Sequence, residues 1–359
     1  MILQPNSGPL DGRHYLQSSP DTVLWGWLPN AVTSPVLAVE RGDVVTIDTL
    51  SHEGVLPDFD YDPVGWFGRQ GVAPADVLLD AAAVAKEVPF DVGRAGPHVI
   101  TGPIQVKGAR PGDLLKVEVV GLRMRVPYGV ISNRHGLGAL PDEYPERRPD
   151  GSRPKTVSVF CPVDERGAEP DGVIAFGSGA RARFPLLPFL GVMGVAPATE
   201  EPVNSVPPGY HGGNIDVKWL GVGSTLYLPV QIDGAGFYAG DPHFAQGNGE
   251  VALTALEGSL RADLRFSVIP SDELRGGARL LSEPFAETDT HWIPIGLDVD
   301  LDEAMRNAVR HAIEFLWLHL GMERHLAYAY LSAAADFEVT QVVDQVKGVH
   351  CMIRKADFS

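Results

Sequence analysis

Apolar and polar residues alternate in many short stretches of this chain, a pattern typical of β-strands with one buried face. The stretches end at Gly, Pro, Asp or Ser, residues that commonly form turns. We therefore predict a succession of short strands. Five of them lie within KTVSVFCPVD (155–164), GVIAFG (172–177), GNIDVKWLG (213–221), STLYLPVQI (224–232) and SLRADLRFSVIP (259–270).

Two earlier segments each contain a pair of such stretches separated by Gly-Asp. They are SPVLAVERGDVVTIDTLSHEGV (34–55) and GPIQVKGARPGDLLKVEVVGLRM (102–124). A strand, a Gly-Asp turn and a second strand are typical of a β-hairpin, so we predict two hairpins. The two segments are alike over only about a dozen residues, which does not indicate an internal duplication.

Helical periodicity appears late in the chain. Asp300 can cap a helix with Glu303 three residues later, and Gly321 can end it. A second helix is predicted in MERHLAYAYLSAAAD (322–336), so the helical segment covers about 300–335 before alternation returns in FEVTQVVD and GVHCMIR. The apolar face of the first helix is formed by Leu301, Met305, Ala308, Val309, Ala312 and Leu316.

Composition supports a strand-rich fold. The 359 residues include 40 glycines and 30 prolines, well above the roughly 12% of average usage, and they are scattered along the chain. Residues 129–155 lack any period and are rich in turn formers, so we predict a long loop there, either bordering a site or simply solvated. The expected fold is mainly β (α+β), with many short strands, long loops and appended C-terminal helices in one domain over 1–359.

The net charge limits the kinds of binding partner that can be expected, and the cysteine content indicates the cellular compartment. The formal charge of −17 repels phosphate backbones and anionic membranes, so nucleic acid and lipid surfaces are not expected as partners. The expected partner is a small neutral ligand. Cys161 and Cys351 form no disulfide framework, which favours a reducing compartment. Neither a signal peptide nor a long apolar span is evident in the sequence, so a cytoplasmic location is expected.

The segment GDPHFAQGNGEVALTALEG (240–258) contains the polar residues that most strongly suggest a metal or catalytic site. Asp241 and His243 are two positions apart around Pro242, so their side chains can converge on one point. A carboxylate and an imidazole are suitable zinc ligands, and a catalytic site needs a third, for which Glu250, His98 and Asp216 are candidates. The alternative interpretation is a turn with a hydrogen-bonded histidine.

A second group lies in GGNIDVKW (212–219). Asn214, Asp216 and Lys218 are two residues apart, so a strand would place all three on one face. A solvated polar edge would show the same alternation. Gly212 and Gly213, however, allow the backbone to approach a ligand or another strand closely.

These motifs together resemble those of the acetamidase/formamidase family of amide hydrolases. The resemblance rests on five ordered segments and extends over about 23–355. They are GPIQVKGARPGDLL, LPFLGVMGVAPA, GGNIDVK, GDPHFAQGNGEVALTALEG and LSAAADFEVTQVVD. The resemblance implies a β-sandwich-like fold, a bound divalent metal and hydrolysis of short amides to an acid and ammonia. It also implies a homodimer or a higher homo-oligomer.

The resemblance also assigns roles to individual residues. It implies metal binding by Asp241, His243 and His98, and catalytic roles for Glu250, Lys218 and Asp216. The expected metal is zinc, with calcium as an additional structural ion. Two positions, Pro242 and Asn248, depart from the family pattern, which puts a charged ligand at Asn248 in doubt. The residues expected to bind the substrate are Asn214, Gln246 and Gly213.

Chemistry explains why such residues would be gathered. An amide carbonyl is a poor electrophile and its nitrogen a poor leaving group, so hydrolysis needs activated water, oxyanion stabilisation and a proton for nitrogen. A bound divalent ion lowers the pKa of water to roughly 7 without a nucleophilic side chain. Two alternatives stay open: a family member that cleaves another C–N substrate, such as a lactam or ureido compound, and a noncatalytic β-sandwich binding protein.

Overall fold

The computed structural model describes residues 2–274 and 283–358. Within them most residues of regular structure are in strands. The strands are β1 (His14–Leu16), β2 (Val23–Trp25), β3 (Trp27–Leu28), β4 (Leu37–Val39), β5 (Val44–Asp48), β6 (Val99–Val106), β7 (Leu114–Met124), β8 (Tyr128–Arg134), β9 (Thr156–Asp164), β10 (Asp171–Phe176), β11 (Ala180–Pro185), β12 (Phe189–Val195), β13 (Val203–Asn204), β14 (Gly212–Asn214), β15 (Thr225–Pro229), β16 (Phe237–Ala245), β17 (Leu256–Glu257), β18 (Leu260–Ile269), β19 (Phe285–Glu287), β20 (His291–Asp298), β21 (Asp336–Gln341) and β22 (Lys347–Arg354).

Two large sheets contain nearly all of these strands. The nine-stranded sheet has the order β1-β5-β18-β7-β15-β19-β20-β22-β21. The eleven-stranded sheet has the path β11-β10-β9-β8-β17-β16-β12-β14, and β6 joins β2 and β4 to β16 beside it. One apolar cluster draws on strands of both sheets, among them Val117 of β7 and Phe237 of β16. The mainly β fold with C-terminal helices is therefore confirmed.

Four helices lie in the described part of the chain: α1 (Pro63–Arg69), α2 (Leu79–Glu87), α3 (Leu301–Leu320) and α4 (Arg324–Ala334). The caps of α3 are as predicted, because Asp300 accepts from the Glu303 amide and Gly321 ends the helix in the left-handed conformation. Its predicted face is partly wrong, since Met305 is 39% exposed and Phe315 is buried instead. The short helices α1 and α2 were not expected from the sequence.

The two predicted hairpins are wrong, although their strands are present. β4 pairs with β6 while β5 pairs with β1 and β18, so the two strands lie in different sheets. β6 and β7 are separated in the same way. In both cases the turn aspartate accepts from the backbone three residues earlier, Asp43 from Glu40 and Asp113 from Arg110. The same turn thus carries the chain from one sheet to the other.

Two further expectations need correction. The predicted loop over 129–155 begins as strand β8, whose buried face carries Ser132 and therefore lacks an apolar alternation. The strand predicted over 213–221 is limited to β14, because Asp216 adopts a left-handed backbone with φ +50°. The argument that Asn214, Asp216 and Lys218 share one strand face therefore fails.

No helix in the described residues is long and apolar enough to cross a membrane. Cys161 and Cys351 are both buried and unbonded.

Candidate active site

Asp241 lies at the centre of a buried group of histidines. Within β16, Asp241 has φ +51°, and its Oδ2 is 3.0 Å from His243 Nε2. His52, from the loop after β5, places Nδ1 3.3 Å from Asp241 Oδ1. His98, just before β6, places Nε2 3.7 Å from Asp241 Oδ2. Glu257 of β17 completes the group, with Oε1 3.1 Å from His243 Nε2. We call these five residues the histidine cluster.

In each imidazole of the histidine cluster, one ring nitrogen faces Asp241 and the second ring nitrogen contacts a polar side chain outside the cluster. His98 Nδ1 pairs with Ser205 Oγ at 2.9 Å, and His52 Nε2 is 3.3 Å from a Glu53 oxygen. His243 Nδ1 lies 3.1 Å from Gln246 Oε1, and the Gln246 amide donates to Asp216 O. With Gln246 Oε1 as the acceptor, Nδ1 of His243 is the donor, and Nε2 faces Asp241 and Glu257. Outer partners of this kind orient metal-ligating imidazoles.

Several inward-facing polar atoms of the histidine cluster lack hydrogen-bond partners. His52 Nδ1, Asp241 Oδ1, His243 Nε2 and Glu257 Oε2 are buried without a hydrogen-bond partner among the described residues. Buried polar atoms normally have partners, so a group of them requires a proton or a cation. Nitrogen and oxygen donors that meet within 4.8 Å of one another fit a divalent ion such as zinc.

The electrostatics of the cluster agree with this need for positive charge. Burial alone would lower the pKa of His52, but the neighbouring carboxylates of Asp241 and Glu53 raise it to about 10. Burial alone would raise the pKa of Asp241, but His243 and the other imidazoles hold it well below its usual range. His98 differs, because burial lowers its pKa to about 4 and keeps its imidazole neutral. The carboxylates thus attract cations to this point.

Three further carboxyl groups form what we call the carboxylate cluster: Asp216, Glu250 and Asp344. Burial, with Asp344 beside it, raises the pKa of Asp216 well above its usual range. Burial and Asp216 do the same for Glu250, and burial and Glu250 for Asp344. Asp216 and Glu250 also approach His243 closely enough to share a cation with it. Like charges this close cannot all be ionised without a proton or a cation between them.

A cavity of about 290 Å³ opens onto both clusters. Its polar lining includes His52, His98, Asn214, Asp241, Glu250, Glu257 and Asp344. Sequence reasoning assigned roles to only some of these residues. His52, Glu257 and Asp344 had none, and only Glu257 carried a signal, its place in the 240–258 motif.

Five of the residues assigned from the sequence lie outside this lining: Asp216, His243, Gln246, Gly213 and Lys218. Gln246 contacts His243 rather than the cavity. Gly213 lies on β14, where it pairs with Met193 of β12. Lys218 lines a neighbouring pocket together with Gln246, Asn248 and Glu250, with its Nζ 5.3 Å from the centre of the Trp219 ring. Glu250 borders both spaces.

Strained backbone is concentrated around the site. Nine described residues other than glycine have positive φ, and five of them belong to the clusters or line the cavity. Such conformations cost free energy and are retained at sites where the surrounding structure enforces them. The five residues are Asp216, Asp241, Glu250, Leu253 and Gln345.

Gly191 of β12 lies against the side chains of both clusters. Its carbonyl accepts from the amides of Ile215 and Asp216, which holds the turn at Asp216. A Cβ at Gly191 would lie 2.4 Å from Asp216 Oδ1 and 2.8 Å from Asp241 Oδ2. No side chain fits there without displacing the carboxylates. Sequence reasoning gave Gly191 no role.

Gly191→Ala is therefore expected to lower both the bound metal and kcat at least tenfold, because overpacking costs about 1 to 3 kcal/mol and acts here on the ligands. Metal analysis and kinetics of the purified variant measure the effect. Gly247→Ala is the matched control, since a Cβ at Gly247 meets nothing within 4 Å. Normal metal content and kcat in Gly191→Ala would contradict the packing argument.

Comparisons with known proteins relate this chain to amide hydrolases. The model of the Acetamidase/Formamidase family matches residues 85–202 and 195–354. The chain is 28% identical to a formamidase of Methylophilus methylotrophus over 277 residues, covering 63% of this chain and 68% of the relative. It is 28% identical to an acetamidase of Mycolicibacterium smegmatis over 305 residues, covering 66% of this chain and 73% of the relative.

The fold of this chain is also similar to that of a solved acetamidase. The crystal structure of an acetamidase from Bacillus halodurans superposes with a TM-score of 0.72 at 27% identity, covering 96% of this chain and 98% of that one. The resemblance identified from the sequence motifs is confirmed. The chain belongs to the Acetamidase/Formamidase family.

Proposed function

We propose that this protein hydrolyses a short-chain aliphatic amide of the formamide or acetamide type to a carboxylic acid and ammonia, with water activated by a divalent metal. Family membership and the activities named for its relatives support the reaction class. The observation that carries the proposal is Asp241, buried among three imidazoles whose inward-facing nitrogens include two without partners among the described residues.

The metal would be held by the histidine cluster. Asp241 belongs to two of the ligand groups there, one with His52 and His98 and one with His243 and Glu257. We propose zinc, because imidazole nitrogen and carboxylate oxygen are its usual ligands in catalytic sites. When bound, the ion supplies a water of lowered pKa and polarises the carbonyl.

Glu250 is the proposed general acid/base. Its side chain is buried, lines the cavity and lies beside the histidine cluster. With a cation beside it Glu250 would be ionised. It would then accept the proton of the water as water adds to the carbonyl carbon and donate it to the amide nitrogen, which leaves as ammonia when the C–N bond breaks. The alternative role of Glu250 is that of a further metal ligand.

Asn214 is the proposed contact for the amide group of the substrate. It lines the cavity, and its buried Oδ1 has no hydrogen-bond partner within the described chain. A carboxamide oxygen in that position can accept from the substrate NH2 group. Asp216, Gln246 and Gly213 would then act by holding Asn214 and His243 in place rather than by touching the substrate.

Lys218 is retained as a proposed catalytic residue on the strength of the family motif. Because it lines the pocket on the other side of Glu250, it would act there, near the proton that Glu250 transfers. Lys218→Met is expected to lower kcat strongly while metal content and Tm stay unchanged, since only the charge is lost. A variant with the kcat of the native protein would assign Lys218 to the surface, and one that fails to fold would make it a structural residue.

Ammonia release by the purified protein tests the proposed reaction. Release from formamide or acetamide, lost on chelation, supports it. Release only from lactams or ureido compounds would point to another C–N substrate within the family. Metal-free protein with no turnover would indicate a binding protein. We further propose that the protein is cytoplasmic and a homodimer or a higher homo-oligomer.

A further inference from the structure

The cavity is larger than formamide or acetamide requires. At the roughly 30 Å³ that a water molecule occupies in the liquid, the four non-hydrogen atoms of acetamide fill about 120 Å³ at most. The cavity measures about 290 Å³. The cavity therefore leaves room for an acyl group larger than methyl.

Apolar side chains line much of this space. Among them are Leu56, Phe90, Val206 and Leu253, from four separate segments of the chain. Phe90 packs against Trp25 with a centroid distance of 4.8 Å, and Trp25 is fixed by a hydrogen bond from its Nε1 to Pro97 O. This part of the wall is therefore a packed surface, suited to an apolar group.

Leu253 is held in the wall by a strained backbone. Its φ of +109° is unusual for a leucine. The two neighbours of Leu253 are fixed by hydrogen bonds. Ala252 O accepts from the Asn133 side-chain amide, and Thr254 Oγ1 accepts from Ser132 N. Strain of this kind is found where a side chain is fixed against a ligand.

The charges around the cavity disfavour an anionic substrate. Among the described residues that line it, Arg134 carries the only guanidinium or ammonium group. That group is already paired, with Glu53 Oε1 and Asp58 Oδ2 each at 2.7 Å. Asp58, Glu250 and Asp344 add carboxyl groups to the lining, and none of them is a partner for an anion. A neutral substrate fits best.

We propose that, beyond formamide and acetamide, the protein hydrolyses neutral primary amides whose acyl group is apolar and several carbons larger than methyl, such as hexanamide or benzamide, and that it uses these with a higher kcat/KM. This inference rests on the proposed amide hydrolysis. The amide group lies at Asn214 and the clusters, and the acyl group lies against Phe90 and Leu253. Each methylene transferred from water to the wall is expected to raise kcat/KM about fourfold.

The test compares kcat/KM for acetamide, 3-methylbutanamide, hexanamide and benzamide with the metal-loaded protein. We expect hexanamide to exceed acetamide at least tenfold. Equal or better use of acetamide would overturn the inference and leave the proposed function standing. Absence of ammonia from every amide would overturn both.

Two variants locate the acyl site. Leu253→Ala and Phe90→Ala should each lower the ratio of kcat/KM for hexanamide to that for acetamide at least threefold. Leu79→Ala and Phe176→Ala are matched controls at positions 67% and 55% exposed, and they should keep the native ratio. A native ratio in both cavity variants would contradict the proposed contact.

Discussion

Asp241→Asn is expected to lose the bound metal and to lower kcat by about a thousandfold or more. A metal contributes several kcal/mol to such a reaction, and each 1.4 kcal/mol is a factor of ten in rate. Asp241 faces all three imidazoles of the histidine cluster, so its charge is the common attraction for a cation there. Asparagine keeps the shape and removes that charge. Metal analysis and kinetics of the purified variant measure both losses.

The control for this substitution is Asp164→Asn, which removes a carboxylate that pairs with Arg166 and is not part of the cavity lining. It should keep its metal and its kcat. An Asp241→Asn protein with full metal content would refute the assignment of Asp241 as a ligand.

Glu250→Gln is expected to lower kcat by about 100- to 10,000-fold, the range that a general acid/base supplies. Its Tm should not fall, because Glu250 is crowded by Asp216 and Asp344, and the substitution leaves two carboxyl groups instead of three competing for positive charge there. Stopped-assay kinetics and thermal unfolding of the same preparation provide the two readouts.

Metal content separates the two proposed roles of Glu250. Normal metal with low kcat supports the acid/base role, whereas lost metal makes Glu250 a ligand. The exposed Glu165 provides the control variant Glu165→Gln, which should behave like the native protein. Native kcat in Glu250→Gln would remove this residue from the active site.

The sequence predicted those parts of the fold and site that depend on neighbouring residues. Alternation located strands such as β9 and β18, and the cap residues located α3. Asp241 lies beside His243 as their spacing suggested, although the left-handed backbone at Asp241 interrupts the regular alternation of β16. Such features are decided by local backbone geometry, which a short window of sequence contains.

Strand pairing and the rest of the site depend on distant residues. A Gly-Asp turn looks the same whether the next strand pairs back or crosses to the other sheet, so the two hairpins were wrong. His52 and Asp344 belong to ordinary-looking turns, and only the packing of β5 and the β21–β22 turn brings them to the cavity. Gly191 is required by side chains that approach it from two other segments.

The most direct test is the metal dependence of amide hydrolysis. Protein stripped of metal by a chelator and freed of the chelator is titrated with zinc, and ammonia release from acetamide and hexanamide is followed at each ratio. We expect negligible activity without metal, a linear rise as zinc is added, and a plateau once the site is filled, with Asp241→Asn inactive throughout. Full turnover by the metal-free protein would contradict hydrolysis by metal-activated water at Asp241.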